Sequence, residues 1–272
     1  MGKVKIKKKS TLIDMTAMSD VTVLLLTFFM LTSTFLAKEP TTVHTPSSVS
    51  VEAVPAKDLV TVLVSSEDKT GKLQDPTAVE GKIFLAFTGD SVIPSEKLRE
   101  EVLKKAIKIY NDQHKKQIGN PTTAQLEAFK KTTMFGTSFK DLYTVLNMEP
   151  TAQEKMYADL ANPMVGIPIN GNKDLNHLND FQIWMQALKQ VAQEARKEKI
   201  SKEKLDENTE EGRKAIRELD ILYNALMQGR SISVKADKDT PFTVVDLIFD
   251  NLQTMNLNKF TLMTNLKNEQ GR

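Results

Sequence analysis

Cysteine is absent from the 272 residues. That excludes disulfides, thiolate metal sites, a cysteine nucleophile and acylation of a lipoprotein-type cysteine. Histidine is scarce: His44, His114 and His177 lie far apart, too scattered to argue for a metal centre. Neither charge predominates, with 37 Lys and Arg against 35 Asp and Glu, so nothing points to nucleic acid or another polyanion as partner. Catalytic signatures are missing too. The chain has no phosphate loop, zinc-ligand spacing or paired nucleophile and base, and Gly89-Asp90-Ser91 reads as a turn. Neither an enzyme nor a cofactor is expected. The length allows one or two domains, each with its own core.

What the chain does have is one long apolar run near its start. Met15 to Ala37 carries a single charge, Asp20, and as a helix it would cover roughly 34 Å, enough for a bilayer core. One transmembrane helix is the expectation. Lys3, Lys5, Lys7, Lys8 and Lys9 precede it and Lys38 with Glu39 follows, which predicts a cytoplasmic N-terminus and an exported C-terminal part. A cleaved signal peptide is the competing reading, but the run is long for one, Asp20 interrupts it, and "STFLAKEP" offers no clean small-x-small site.

Four polar residues of this run share one face. Thr16, Asp20, Thr27 and Thr34 follow at i, i+4, i+11 and i+18, while Leu24, Leu25, Leu26, Phe28 and Phe29 cover much of the rest. A charged Asp in a bilayer costs about 2.5 to 3.5 kcal/mol, so it is expected to face protein or water. Desolvation favours the protonated carboxyl, whereas a helix N-terminus about one turn away favours the anion. Opposed influences of this kind suit a group that exchanges protons. The alternative is that Asp20 caps the helix or pairs with a partner's lysine during assembly.

"KKKSTLIDMTAMSDVTVLLLTFFMLTS" closely resembles the start of ExbD/TolR proteins, in which a basic arm leads through a short polar motif into a Leu/Phe-rich helix. The resemblance implies that Asp20 is the protonatable residue of a proton channel, with Ile13, Asp14, Thr16 and Met18 as flanking motif positions. The family often has proline at Ala17 and asparagine at Asp14. A second block, "SISVKADKDTPFTVVDLIFDNLQTMNLNKFTLMTNL", resembles the end of the family's periplasmic domain. "LVTVLVSSEDKTGKLQDPTAVEGKIFLAFTGD" is similar to its opening strand pair, with a longer connection. Residues 1 to about 110 and about 213 to 266 carry the likeness. It implies ExbB/TolQ-like membrane subunits and a TonB-like protein as partners, a homodimer within the complex, and a bacterial inner-membrane location with a periplasmic C-terminal domain.

The expected fold class is α+β: a single N-terminal transmembrane helix plus a small periplasmic sandwich with helices on one face of its sheet, carrying a largely helical insert. The expected divisions are a basic arm (1–14), the span (15–37), an extended linker (38–57), a first part of the α+β domain (58–110), the insert (111–212) and a second part (213–272). The linker is rich in Pro, Ser and Thr. Its alternating "SVSVE", with Val49, Ser50 and Val51 at the centre, is a candidate strand for a partner's or a second copy's sheet edge, and a plain tether is the alternative. In the insert, Thr122 with Gln125, Thr151 with Glu154 and Asn179 with Gln182 have capping-box spacing, and three or four helices are expected. Trp184 is expected in the core, or else as an anchor for a partner. The leading expectation for function is an ExbD-like subunit that converts proton motive force into work on a TonB-like protein. A TolR-like envelope role and a passive periplasmic scaffold are the alternatives.

Overall fold

The computed structural model of the chain describes residues 15–32, 43, 45, 47–48, 60–65, 82–89, 93–114, 118–206, 208–237, 240, 242–263 and 265–266. Two compact units are present, Met1–Ala37 and Lys38–Arg272. Among the described residues, the first holds one helix, α1 (Met15–Thr32).

The second unit is α+β. Its sheet begins with β2 (Val60–Ser65) and β3 (Lys82–Phe87), two β-branched and aromatic stretches paired antiparallel from Val60 opposite Phe87 to Ser65 opposite Lys82. β4 (Ile232–Ala236) lies parallel to β2, and β5 (Thr261–Met263) parallel to β4, giving the order β3-β2-β4-β5. Before β2, β1 (Ser47–Ser48) pairs parallel with β6 (Asn265–Leu266). Strand alternation sends Val60, Val62, Val64, Ile83, Leu85, Phe87, Ile232 and Val234 into one core. Helices α2 (Ser95–Gln113), α6 (Asp180–Lys202) and α8 (Phe242–Thr254) supply its other wall.

The residues between α2 and β4 do not form a separate appendage. α3 (Thr123–Lys131), α4 (Leu142–Leu146), α5 (Pro150–Tyr157) and α7 (Glu210–Met227) accompany α6; α3, α4 and α7 pack into the main core of the sheet and α5 into a second cluster. Trp184 of α6 is fully buried, stacked between Phe129 at 5.7 Å and Phe139 at 4.9 Å, with Phe135 at 4.6 Å. Phe181 to Met185 are all buried, so the first half of α6 is enclosed on every side instead of presenting one apolar face. The core role expected of Trp184 is what the structure shows.

The insert also closes the sheet's outer edge. Ile83, Leu85 and Phe87 turn backbone groups away from β2. Leu85 and Phe135 exchange N–H···O bonds of 2.7 and 2.9 Å, Ile167 N donates to Ile83 O at 3.0 Å, and Arg99 Nε donates to Phe87 O at 3.0 Å. An open edge would invite pairing with another chain. The close approach demands glycine at Gly136, where a Cβ would come within 2.4 Å of the Phe84 ring and 2.8 Å of Ile83 O. Gly166, beside Lys82, has φ +100.

Helices were expected on one face of the sheet only. Leu63 and Phe84, on the opposite pleat, are covered by Val145, Met156, Tyr157, Leu160 and Val165 of the insert. The difference arises because the insert is long enough to wrap round β3 and reach the second face.

Local signals hold at two of the three helix starts. Gln125 N donates to Thr122 Oγ1 at 3.3 Å while Thr122 N donates to Gln125 Oε1 at 2.9 Å, and Asn179 with Gln182 forms the same reciprocal box. Thr151 and Glu154 form none. Pro150 opens α5 with Glu149 at the cap, because proline's fixed φ suits a first helical position and starts the helix earlier. Asn251 then ties the insert to α8: its Nδ2 donates to Asn170 O at 2.8 Å and its Oδ1 accepts from Asn179 Nδ2 at 2.8 Å. Lys189 Nζ donates to Met255 O at 3.0 Å just beyond α8.

Two tests follow from this shared core. Trp184→Ala is expected to cost about 3 to 5 kcal/mol in urea unfolding followed by circular dichroism, and a cost below about 1 kcal/mol would be incompatible with the stacked core. The second concerns Asp180, which accepts a 3.1 Å bond from Phe139 N. Burial pushes its carboxyl above the usual 3.8, against the Phe139 N–H, His114 and Lys140. A raised acid stabilises the fold fully below its unfolded value, and that contribution is lost as pH rises through the folded value. Asp180→Asn, which keeps an acceptor, is therefore expected to gain stability relative to the parent chain as pH rises above about 4, read as the difference in thermal midpoint.

Candidate functional site

Helix α1 runs MTAMSDVTVLLLTFFMLT, and Asp20 is its one charged residue. At about 100° per residue, Thr16, Asp20 and Thr27 fall within an arc of about 40°. The threonine at 34 lies outside the described residues, as does Asp14. Asp20 is exposed. So is every large apolar side chain from Met18 to Leu31, with Leu31 at 86%. A helix with apolar side chains on almost all sides is stable only where lipid or protein covers it.

Two of the helix hydroxyls bond back to their own backbone. Thr27 Oγ1 donates to Leu24 O at 2.9 Å and Thr22 Oγ1 to Ser19 O at 2.8 Å, the usual back-bonding of such residues to the preceding turn. That leaves the carboxylate as the one ionisable group on the face it shares with Thr16 and Thr27.

The helix has 18 residues, about 27 Å against a bilayer core of about 30 Å. Among the described residues, no helix is long and apolar enough to cross a membrane. The last part of the expected span, 33–37, lies outside them. Among the described residues, too, no group of three or more His, Asp or Glu comes together to hold a metal.

The second candidate, Val49, Ser50 and Val51, lies outside the described residues. Immediately before it, Ser47 and Ser48 pair with Asn265 and Leu266 of the same chain. Sequence reasoning missed Val43, which is buried at 9% exposure among Leu63, Phe84 and the insert side chains on the second face of the sheet. A lone valine in "TTVHTP" gives no periodic signal, so nothing local marks it.

The family model for biopolymer transport proteins ExbD/TolR matches residues 7–267. The chain belongs to the ExbD/TolR family. No curated protein and no solved structure matches it. The match spans the insert as well as the two blocks that carried the resemblance. ExbD/TolR proteins are biopolymer transport components that work with ExbB/TolQ-type membrane subunits. In this member the motif residues Thr16 and Asp20 sit on α1, and the residues resembling the family's periplasmic domain build the four-stranded sheet.

The exposed, almost wholly apolar α1 has a measurable consequence. Asp20→Leu is expected to make membrane insertion of residues 1–40 more favourable by about 2 to 3 kcal/mol in a glycosylation-based insertion assay. An unchanged insertion fraction would mean that the carboxylate is not in the apolar environment the helix demands.

Proposed function

We propose that this chain is an ExbD-like subunit of a proton-driven motor in a bacterial inner membrane, working on a TonB-like protein that energises outer-membrane import. The observation that carries the reading is Asp20, a lone carboxyl on a helix whose large apolar side chains are uncovered. Family membership supports the partner class. Residues 15–37 then form one transmembrane helix, with the lysine-rich arm in the cytoplasm and the α+β unit in the periplasm, as the charge asymmetry favours. ExbB/TolQ-like subunits surround the helix and shield Asp20, and two copies of the chain share one complex.

Proton transfer onto and off Asp20 alternates a charged and a neutral stripe on α1. The charged state draws the helix toward polar partner groups and water, and the neutral state tolerates apolar surroundings. Movement of the helix is passed through the linker to the periplasmic unit. The drive is adequate in scale, since one charge crossing 100 mV supplies about 2.3 kcal/mol. Protons are the coupling ion; no other cofactor enters the scheme.

A TolR-like role in envelope maintenance uses the same residues and differs only in the recipient. A passive scaffold dispenses with Asp20. Deleting residues 111–212 does not separate these readings, because the insert supplies Trp184 and Phe139 to the core beneath the sheet and its loss would strip that core. Substitution of the carboxyl separates them. Asp20→Asn is expected to leave assembly with the ExbB/TolQ-like subunits intact and to abolish proton-driven transport, measured as co-purification and as uptake in the same cells. Uptake at the parent rate would overturn the carrier role and leave the scaffold.

A further inference from the structure

Asn170 and Gly171 form the one Asn-Gly step in the chain. They lie in the irregular stretch between Ile167 and α6, and both are exposed. Both carbonyl oxygens of Asn170 are nonetheless engaged. Asn179 Nδ2 donates to Asn170 Oδ1 at 2.9 Å and, at 3.3 Å, to Asn170 O, while Nδ2 of the buried Asn251 donates to Asn170 O at 2.8 Å. The helix cap fixes which way the Asn179 amide faces: its Oδ1 accepts from Gln182 N at 2.9 Å, so its NH2 group is the one turned to Asn170, and the Asn170 atom that meets it is an oxygen. The rest of the Asn170 amide is unspent. Among the described residues its Nδ2 makes no hydrogen bond, and neither does the Gly171 N–H.

Nucleophile, polarised carbonyl and free leaving group are the parts of a cyclisation. We infer that Asn170-Gly171 is a site of spontaneous deamidation, with Asn179 as donor to the oxyanion that develops. Gly171 N, losing its proton to solvent hydroxide, bonds to Asn170 Cγ, and the carbonyl electron pair moves onto Oδ1, where the Asn179 N–H is already aimed. Collapse of this intermediate expels Nδ2 as ammonia and leaves a five-membered succinimide. Water then opens the ring. Attack at one carbonyl gives an aspartyl residue at 170, and attack at the other gives an isoaspartyl residue, whose main chain runs through the former side chain. Glycine suits the step because any other residue would set a Cβ beside the attacking nitrogen. Either product places a carboxylate at the seam where Asn179 and Asn251 join the insert to α8, and in the isoaspartyl form the carbonyl that Asn251 holds leaves the main chain. The site does not depend on the motor reading above.

Peptide mapping by mass spectrometry tests the site on the full-length chain, purified with its membrane partners and held for days at physiological temperature and mildly alkaline pH beside an unincubated sample. The peptide spanning 170–171 is expected to gain the mass of replacing NH2 by OH, divided between aspartyl and isoaspartyl forms, at a rate that rises in proportion to hydroxide. Gly171→Ala is expected to lose that gain over the same interval. It is a mild change, since a Cβ there would meet nothing closer than Leu247 Cδ2 at 3.6 Å. Asn179→Ser keeps a capping oxygen but removes the amide donor. Conversion is then expected to slow by about tenfold, less than the factor of about a hundred or more that such a donor supplies in a water-excluded site. Emission of Trp184, the one tryptophan, reports whether each variant keeps its main core; Asn179→Asp, also able to cap, takes the place of Asn179→Ser if that chain loses it. No gain at residue 170 in the parent chain, or an unslowed gain in Gly171→Ala, would overturn the site. Conversion at the parent rate in a folded Asn179 variant would overturn the donor's part in it.

Discussion

The outward backbone groups of β3 need partners, and the insert supplies most of them. Phe135 pairs with Leu85 and Ile167 bonds Ile83, while Arg99 of α2 reaches Phe87 O. Much of the remaining architecture depends on that closure. Once Phe135 is held at the edge, its ring lies against Trp184 and Phe87 on one side of the sheet. Once Gly166 and Ile167 are held there, Val165 reaches Phe84 on the other. A strand edge that would otherwise attract another chain becomes the seam along which a hundred extra residues join a small sheet.

Helix α1 presents the opposite situation. The larger unit buries its apolar side chains internally, whereas α1 exposes all of its large ones from Met18 to Leu31. The same hydrophobic effect acts on both. One satisfies it within the chain and the other only with lipid or partner subunits. Asp20 gains its significance from this contrast: a carboxylate on the larger unit is one of many, but on α1 it is the one charge and the costly group to shield.

Legibility in the sequence followed the range of the interactions. The capping boxes at Thr122 and Asn179 depend on residues three apart, and both were readable. The box at Thr151 was not formed because Pro150, its immediate neighbour, supplied a better helix start. Strand positions were readable from β-branched runs, and the burial of Trp184 from its apolar neighbours. The edge closure joins Leu85 to Phe135 and Ile83 to Ile167, and the Asn251 junction joins α8 to loops about 70 and 80 residues earlier. No short window contains both partners of any of these contacts.

By itself, the sequence determined the family, the α+β class, the principal strands and helices, and the placement of one carboxyl on an apolar helix, since each rests on composition, periodicity or a local motif. The tertiary structure alone decided that the insert shares the sheet's core, covers its second face and closes its edge. Those outcomes depend on which apolar surfaces meet in space, and a linear pattern carries that information only after the chain has folded.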